Sequence, residues 1–327
     1  MPDKKAPLIP APQAGSEIPA PADPDQRREP LPSQTLKSTE DDPDALQRVA
    51  SIIASPTYRQ ADADLSFLNE PESRGVRLQI DYLKPELLLE KSGVKHTIVV
   101  FGSTRIPEPA AARRRVEVLA AEVAASPGEA SLLRRLAVAK RIEARSYYYE
   151  AARELGRLIG AKRQSERDCR VTVMTGGGPG IMEAANRGAF EAGAQSIGLN
   201  IVLPREQFPN PYVTPELAFS FHYFAMRKLH FIQRASALVV FPGGYGTLDE
   251  LFETLALIQT RKMKPVPVVL VGEAYWRKVF DADYLVDEGM IEPEDRELFW
   301  FAETAEEIWQ GILQWHRLNG TPLYETC

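Results

Sequence analysis

Cysteine is nearly absent. The two present, Cys169 and Cys327, lie far apart and in no metal-ligand spacing. A reduced, cytoplasmic chain is therefore the simplest expectation. The four histidines, His96, His222, His230 and His316, form no HExxH-like pattern, so no metal is expected. No apolar run is long enough to span a membrane. No GKS or GKT is present, which excludes a Walker phosphate loop. A net charge of -6 argues against a surface that coats nucleic acid, while a small anionic ligand needs only a local positive site.

Proline, by contrast, is concentrated at one end. Ten of the 26 prolines precede residue 44. That stretch has few large apolar residues and cannot repay its ordering entropy, so residues 1–43 are expected to be a disordered tail. It lacks the apolar segment of a secretory signal. Residues 44–327 are expected to form one domain with an N-terminal helical extension. Within it, "TIVVFGSTR" (97–105), "RVTVMTGGGPGIMEAANRGAFEAGA" (170–194) and "ALVVFPGGYGTLDE" (237–250) each run from an apolar strand into a glycine turn. Two of the turns lead straight into helices, the one after 175 with Gly193 as its stop. Further strands are expected at 196–204, 218–224 and 266–272, the last followed only by helices. Residues 108–163 read as helices broken at Pro127-Gly128. Strands alternating with helices imply a doubly wound, Rossmann-like α/β fold with a parallel sheet. The ligand of such a fold lies at the carboxyl ends of the strands, where all three glycine turns fall.

The turn "PGGYGTLDE" spans 242–250, and from Leu248 the apolar residues 248, 251, 252, 255 and 258 have helical spacing. Gly243, Gly244 and Gly246 permit positive φ and close approach of a ligand. The helix behind them directs free N–H groups and its positive dipole end at the turn, which favours a phosphate. Thr247 can cap the helix or donate a hydroxyl. A second reading stays open: Thr247 to Glu250 fits a capping box, with Glu250 reaching back to the Thr247 N–H. "TGGGPG" (175–180) resembles a dinucleotide fingerprint, but the next strand ends "LNIVLP" without the ribose-binding acid, so a nicotinamide cofactor is not expected. Glu183 in the following helix suits the first-turn charge preference. Arg227 and Lys228 sit near a helix start, where cations oppose the dipole and an anionic ligand would offset them.

These residues carry a resemblance. "PGGYGTLDE" matches the PGGxGTxxE signature of the Lonely Guy family, whose members were long mislabelled lysine decarboxylases. Arg227-Lys228 matches the end of a second signature, MHxRK, although Phe224-Ala225 stand where the family has Met-His. The "FGST", "GGGPGIME" and "LPREQ" stretches look like family features too, and the resemblance covers roughly residues 95–310. It implies hydrolysis of the N-glycosidic bond of a nucleoside 5′-monophosphate, with no cofactor and with a homodimer or an assembly of dimers. It further implies that Gly243, Gly244, Gly246 and Thr247 hold the phosphate and that Glu250 and Arg227 are the catalytic pair. Lys228, Gly102, Ser103, Gly177, Gly178 and Glu183 complete the expected nucleotide site. Tyr245, His222 and Glu183 are candidate acids for the departing base. A non-catalytic nucleotide-binding module on the same fold is the alternative.

Deleting residues 1–43 is expected to leave the fold and the nucleosidase activity that the resemblance implies essentially intact. Circular dichroism and a free-base assay check this, and an insoluble or inactive truncation would refute it.

Overall fold

The computed structural model describes residues 31–161, 171–204 and 208–323. Most of the expected tail, both cysteines and residues 205–207 of the "LPREQ" stretch lie outside that set. The chain divides into two compact units, one ending at Ser73 and one beginning at Arg74. The first holds α1 (Ala45–Ala54) and α2 (Leu65–Asn69), and Asp64 caps α2 by accepting the Ser66 and Phe67 N–H groups. The boundary thus falls about thirty residues inside the expected single domain.

The larger unit opens with α3 (Arg74–Lys91) and continues with β1 (His96–Phe101), α4 (Pro109–Ala125), α5 (Ala130–Glu143) and α6 (Tyr147–Ala161). Then follow β2 (Val171–Thr175), α7 (Ile181–Glu191), β3 (Ser196–Ile201), β4 (Ala218–Phe221) and α8 (Phe224–Gln233). The chain closes with β5 (Ala235–Val240), α9 (Tyr245–Gln259), β6 (Val268–Val271), α10 (Glu273–Val279), α11 (Ala282–Asp287), β7 (Trp300–Ala302) and α12 (Ala305–Leu318). All seven strands are parallel, in the order β4-β3-β2-β1-β5-β6-β7. The expected doubly wound α/β fold is what forms. Among the described helices none is long and apolar enough to cross a membrane.

Alternation along each strand sends successive side chains to opposite faces. Ile98, Val100, Val173, Val239 and Val269 pack with α6, α7 and α12 on one face. Val99, Met174, Leu238, Val240 and Leu270 pack with α3, α8, α9 and α10 on the other. Burial on both faces is why the central strands read as unbroken apolar runs. The chain winds outward from β1 to β4, then returns to place β5 on the free side of β1. The switch point therefore lies between β1 and β5, and a crevice opens beyond their carboxyl ends.

Two expectations need correction. The strand expected over 218–224 stops at Phe221, because α8 begins at Phe224. The Asp81 carboxylate accepts the N–H groups of His222 and Tyr223 and stands in for a sheet partner. The region after 272 is not wholly helical, since β7 pairs with β6. A three-residue strand is too short to show periodicity.

Helices α6 and α7 cross with their backbones nearly touching. A Cβ on Gly156 would stand 2.1 Å from the Ala185 carbonyl oxygen, and one on Gly188 would stand 1.8 Å from that of Arg153. Backbone cannot move aside as a side chain can. Gly188→Ala is expected to destabilise the protein by about 2–4 kcal/mol through forced separation of the two helices. Gly75→Ala, at a helical position with nothing within 4 Å, should be neutral or stabilising by up to about 1 kcal/mol. Urea midpoints of the two variants check the contrast, and equal midpoints would refute the close crossing.

Candidate active site

Three strand exits converge at the switch point. The Ser103 N–H, after β1, donates to the Pro242 carbonyl after β5 at 2.9 Å, and the Ser103 carbonyl accepts the Ile181 N–H at 3.2 Å. A side chain on Gly180 (φ 73°) would strike that same Ser103 carbonyl at 2.4 Å. The turns after β1, β2 and β5 are thus locked through one residue. The middle turn is held from behind by a buried polar set. Thr175 Oγ1 donates to Asn186 Oδ1 (2.7 Å), Asn210 Nδ2 donates to Asn186 Oδ1 (2.9 Å) and to the Gly178 carbonyl (3.1 Å), and Gly177 N–H donates to Thr175 Oγ1 (3.0 Å).

The crevice above the turns encloses about 740 Å³. Gly102, Ser103, Gly178, Gly243, Gly244, Gly246, Thr247, Arg227 and Glu250 all line it. Three expected members do not. Gly177 turns away, and with φ of 69° a side chain on it would meet Asn200 at 2.1 Å. Glu183 accepts the Tyr149 hydroxyl at 2.8 Å behind the turn. Lys228 reaches across to α9 and pairs with Asp249 and Glu253, each at 2.9 Å. Burial opposes its charge, but the two carboxylates outweigh burial and hold its pKa above the ordinary lysine value. Its partners are thus protein carboxylates.

Helix α9 starts three residues earlier than its apolar spacing suggests, at Tyr245 with Gly244 as N-cap. Thr247 is therefore not the cap, and its N–H donates to the Gly244 carbonyl at 3.0 Å. Glu250 lies in the second turn, out of reach of a capping role, so the capping-box reading is overturned. None of Gly243, Gly244 and Gly246 has positive φ. Gly243 is needed for packing, because a Cβ there would strike Thr247 Oγ1 at 2.1 Å. Gly244 and Gly246 face open space. Gly244 suits its N-cap position, but the fold gives no packing reason for Gly246 within the first turn, where a helical Gly costs about 1 kcal/mol relative to Ala. The N–H groups of Gly244, Tyr245 and Gly246 find no acceptor among the described residues. Open space and unmet donors make this helix end receptive to an anion.

The Glu250 carboxylate accepts no hydrogen bond among the described residues, and the residue is only 6% exposed. Burial pushes its carboxyl up to about 7; Lys228 and Arg227 work against burial, while Glu253 and Asp249 add to it. Arg227 forms no ion pair with Glu250. Its Nε donates to the Leu199 carbonyl at 2.7 Å and its Nη2 to the Gly176 carbonyl at 3.5 Å, and its guanidinium lies 5.1 Å from the Phe231 ring centre. Gly176 makes room for it, since a Cβ there would sit 2.4 Å from Nη2. Burial lowers the Arg227 pKa and Glu250 raises it. Three of its five N–H donors remain for the crevice.

Of the candidate acids, only Tyr245 lines the crevice, 92% exposed at its mouth. His222 is exposed outside it. Sequence reasoning missed Thr104, Arg105, Arg145 and Tyr275, which also line it. Tyr275 donates its hydroxyl to the Gly243 carbonyl at 2.5 Å and so braces the turn. Arg105 ends the very "FGSTR" stretch singled out above, so position alone could have found it. Tyr275 and Arg145 come from remote elements and carry no local signal.

Residues 182–312 match the family model described as "Possible lysine decarboxylase". Cytokinin riboside 5'-monophosphate phosphoribohydrolase LOG5 of Arabidopsis thaliana is 28% identical over 178 residues, 54% of this chain and 74% of its own. LOG7 of the same plant, which bears the same enzyme name, is 30% identical over 164 residues, 49% of this chain and 71% of its own. Among solved structures, the X-ray structure of TM1055 aligns over 67% of this chain and 99% of its own, at 24% identity and a TM-score of 0.40. By its likeness to these phosphoribohydrolases, and by the PGGxGTxxE turn at 242–250, the chain belongs to the Lonely Guy family.

Proposed function

We propose that the crevice hydrolyses the N-glycosidic bond of a nucleoside 5′-monophosphate to free base and ribose 5-phosphate. One observation carries the reading: a buried, unbonded carboxylate stands one turn behind a helix end whose N–H groups are unmet. The 5′-phosphate docks on the N–H groups of Gly244, Tyr245 and Gly246, with the dipole of α9 behind it. Glu250 lies four to six residues further along, about 6–9 Å by helical rise, which leaves room for a ribose between them. As the bond from C1′ to the base breaks, positive charge grows on the ribose. The Glu250 carboxylate faces that charge and takes a proton from the water whose oxygen bonds to C1′. A carboxyl poised near 7 can hold that proton and return it to solvent or to the departing base. Arg227 supplies its free donors to the phosphate or ribose. Phosphate binding thereby positions the reacting carbon. Assembly as a homodimer, implied by the family resemblance, belongs to the same reading.

The decarboxylase description does not suit the crevice. Among the described residues no lysine lines it, and Lys228, held charged between two carboxylates, is poorly placed to be the neutral amine a Schiff base requires.

The substrate is expected to need its 5′-phosphate: AMP should be cleaved far faster than adenosine in a free-base assay, and comparable rates would refute the phosphate anchor. The same assay across pH should show kcat/KM rising through about pH 7, as Glu250 ionises. A flat profile from pH 5 upward would assign the reaction to another group.

Glu250→Gln should lose on the order of 100-fold or more in turnover while still binding AMP. It should also be more stable than the wild type. A carboxyl with a folded pKa of about 7 against 4.5 resists ionisation in the folded state. That cost is absent below about pH 4.5, grows between 4.5 and 7, and is complete above, where it amounts to about 3 kcal/mol. Melting temperatures at pH 8 and pH 5 should therefore show a gain for Glu250→Gln at pH 8 that largely vanishes at pH 5. A variant that is less stable at both would mean that the carboxylate is held by contacts rather than strained by burial.

A further inference from the structure

A second cavity, of about 360 Å³, lies between α4 and α5, next to the crevice. The two share Arg105, Val138 and Ile142 as a common wall. The floor of the second cavity is apolar, with Leu119 and Ala139 buried in it and Ile142 partly so. Its rim is cationic. Arg105, Arg115 and Arg134 all line it, and among the described residues none of the three guanidinium groups has a hydrogen bond or an ion pair. Only Arg135 is engaged, with Glu122 at 3.6 Å.

This is an unusual concentration of charge. From Arg105 to Arg145 the chain has nine Arg and Lys against five Glu, a surplus of four in a chain of net charge -6. Three unneutralised cations around one apolar hollow repel one another. Scattered surface arginines would diverge into water or meet nearby acids, whereas these three border one cavity. Guanidinium groups match phosphate, sulfonate and carboxylate oxygens in bidentate geometry. The apolar floor asks for something that inorganic anions lack. A flat or aliphatic body against Leu119, Ala139 and Ile142 would bury that floor.

We propose that the α4–α5 cavity is a binding site for an amphipathic organic anion, one with an aromatic or apolar body and a phosphate, sulfonate or carboxylate group. The anionic group is held by Arg105, Arg115 and Arg134, and the body rests on Leu119, Ala139 and Ile142. The site is distinct from the nucleotide crevice, and the proposal does not rest on the hydrolase reading, because its test measures binding without turnover.

The probe is 1-anilinonaphthalene-8-sulfonate, titrated by fluorescence into the full-length protein with saturating ribose 5-phosphate, which has no apolar body, present to fill the crevice. The wild type should show one saturable site. Arg115→Ala/Arg134→Ala, checked for an unchanged fold by circular dichroism, should weaken it at least tenfold. Arg134→Lys alone should fall between the two. 1-Naphthyl phosphate should displace the probe at concentrations where inorganic phosphate does not. Equal probe affinity in the wild type and the double arginine variant would overturn the proposal. So would displacement by inorganic phosphate as readily as by naphthyl phosphate, because the apolar floor would then play no part. Complete loss of probe binding on adding ribose 5-phosphate, together with an unaffected double variant, would place the probe in the nucleotide crevice and overturn it equally.

Discussion

The backbone of Ser103 is the point on which the site depends. Its N–H bonds the turn after β5 and its carbonyl bonds the start of α7. Those two bonds set the spacing of three loops that come from widely separated parts of the chain. The constraint explains several side chains at once. Gly180 has no room for a Cβ because Ser103 occupies that space, and Gly102 has none because a Cβ there would stand 2.6 Å from Ile181 Cγ2. Flexible loops would place a ligand's donors over a broad range of positions. Loops tied backbone to backbone hold them still, which is what preorganised electrostatics requires.

The site is arranged at a cost in stability. Glu250 sits where burial raises its pKa, and nothing hydrogen-bonds to its carboxylate among the described residues. Two cations nearby soften the penalty without removing it. Lys228 is the more strongly engaged, but its charge is shared with Asp249 and Glu253, whose own negative charge raises the Glu250 pKa. The local balance keeps the carboxyl near neutrality instead of fully ionised. A folded protein gains nothing from that arrangement, and such strain concentrates where chemistry needs it.

Much of this was legible in the sequence, for physical reasons. Strands such as Leu238–Val240 are buried on both faces, and double burial demands the unbroken β-branched runs that betray them. Glycine turns at strand ends betray the rim of the crevice. The start of α9 was hidden because Tyr245, Gly246 and Thr247 are weak helix formers and precede the apolar stripe. That error of three residues produced the false capping box. Lys228 looked like an anion ligand because its true partners, Asp249 and Glu253, lie on another helix. Gly177 and Glu183 were legible as parts of a glycine turn, yet which way each faces depends on Asn200 and Tyr149, and no local pattern encodes that. Arg145 and Tyr275 reach the crevice only through tertiary packing.

The geometry also orders the roles of the charged groups once an anion is in place. A phosphate on the Gly244–Gly246 amides would add negative charge one to two turns from Glu250, which would drive its pKa still higher. Left alone, that effect would neutralise the carboxylate at the moment its charge is wanted. Lys228 opposes it from its fixed place, where Asp249 and Glu253 share its charge. Arg227 opposes it as well. Its guanidinium is fixed by the Leu199 and Gly176 carbonyls and stays charged despite burial, since an arginine does not deprotonate in this range. Fixed at one side of the crevice with donors to spare, it lines the wall and its charge favours the ionised Glu250 carboxylate. On the proposed reading its contribution would be to keep Glu250 ionised beside the bound phosphate, and the absence of a direct ion pair between them would leave the carboxylate free to face the ribose.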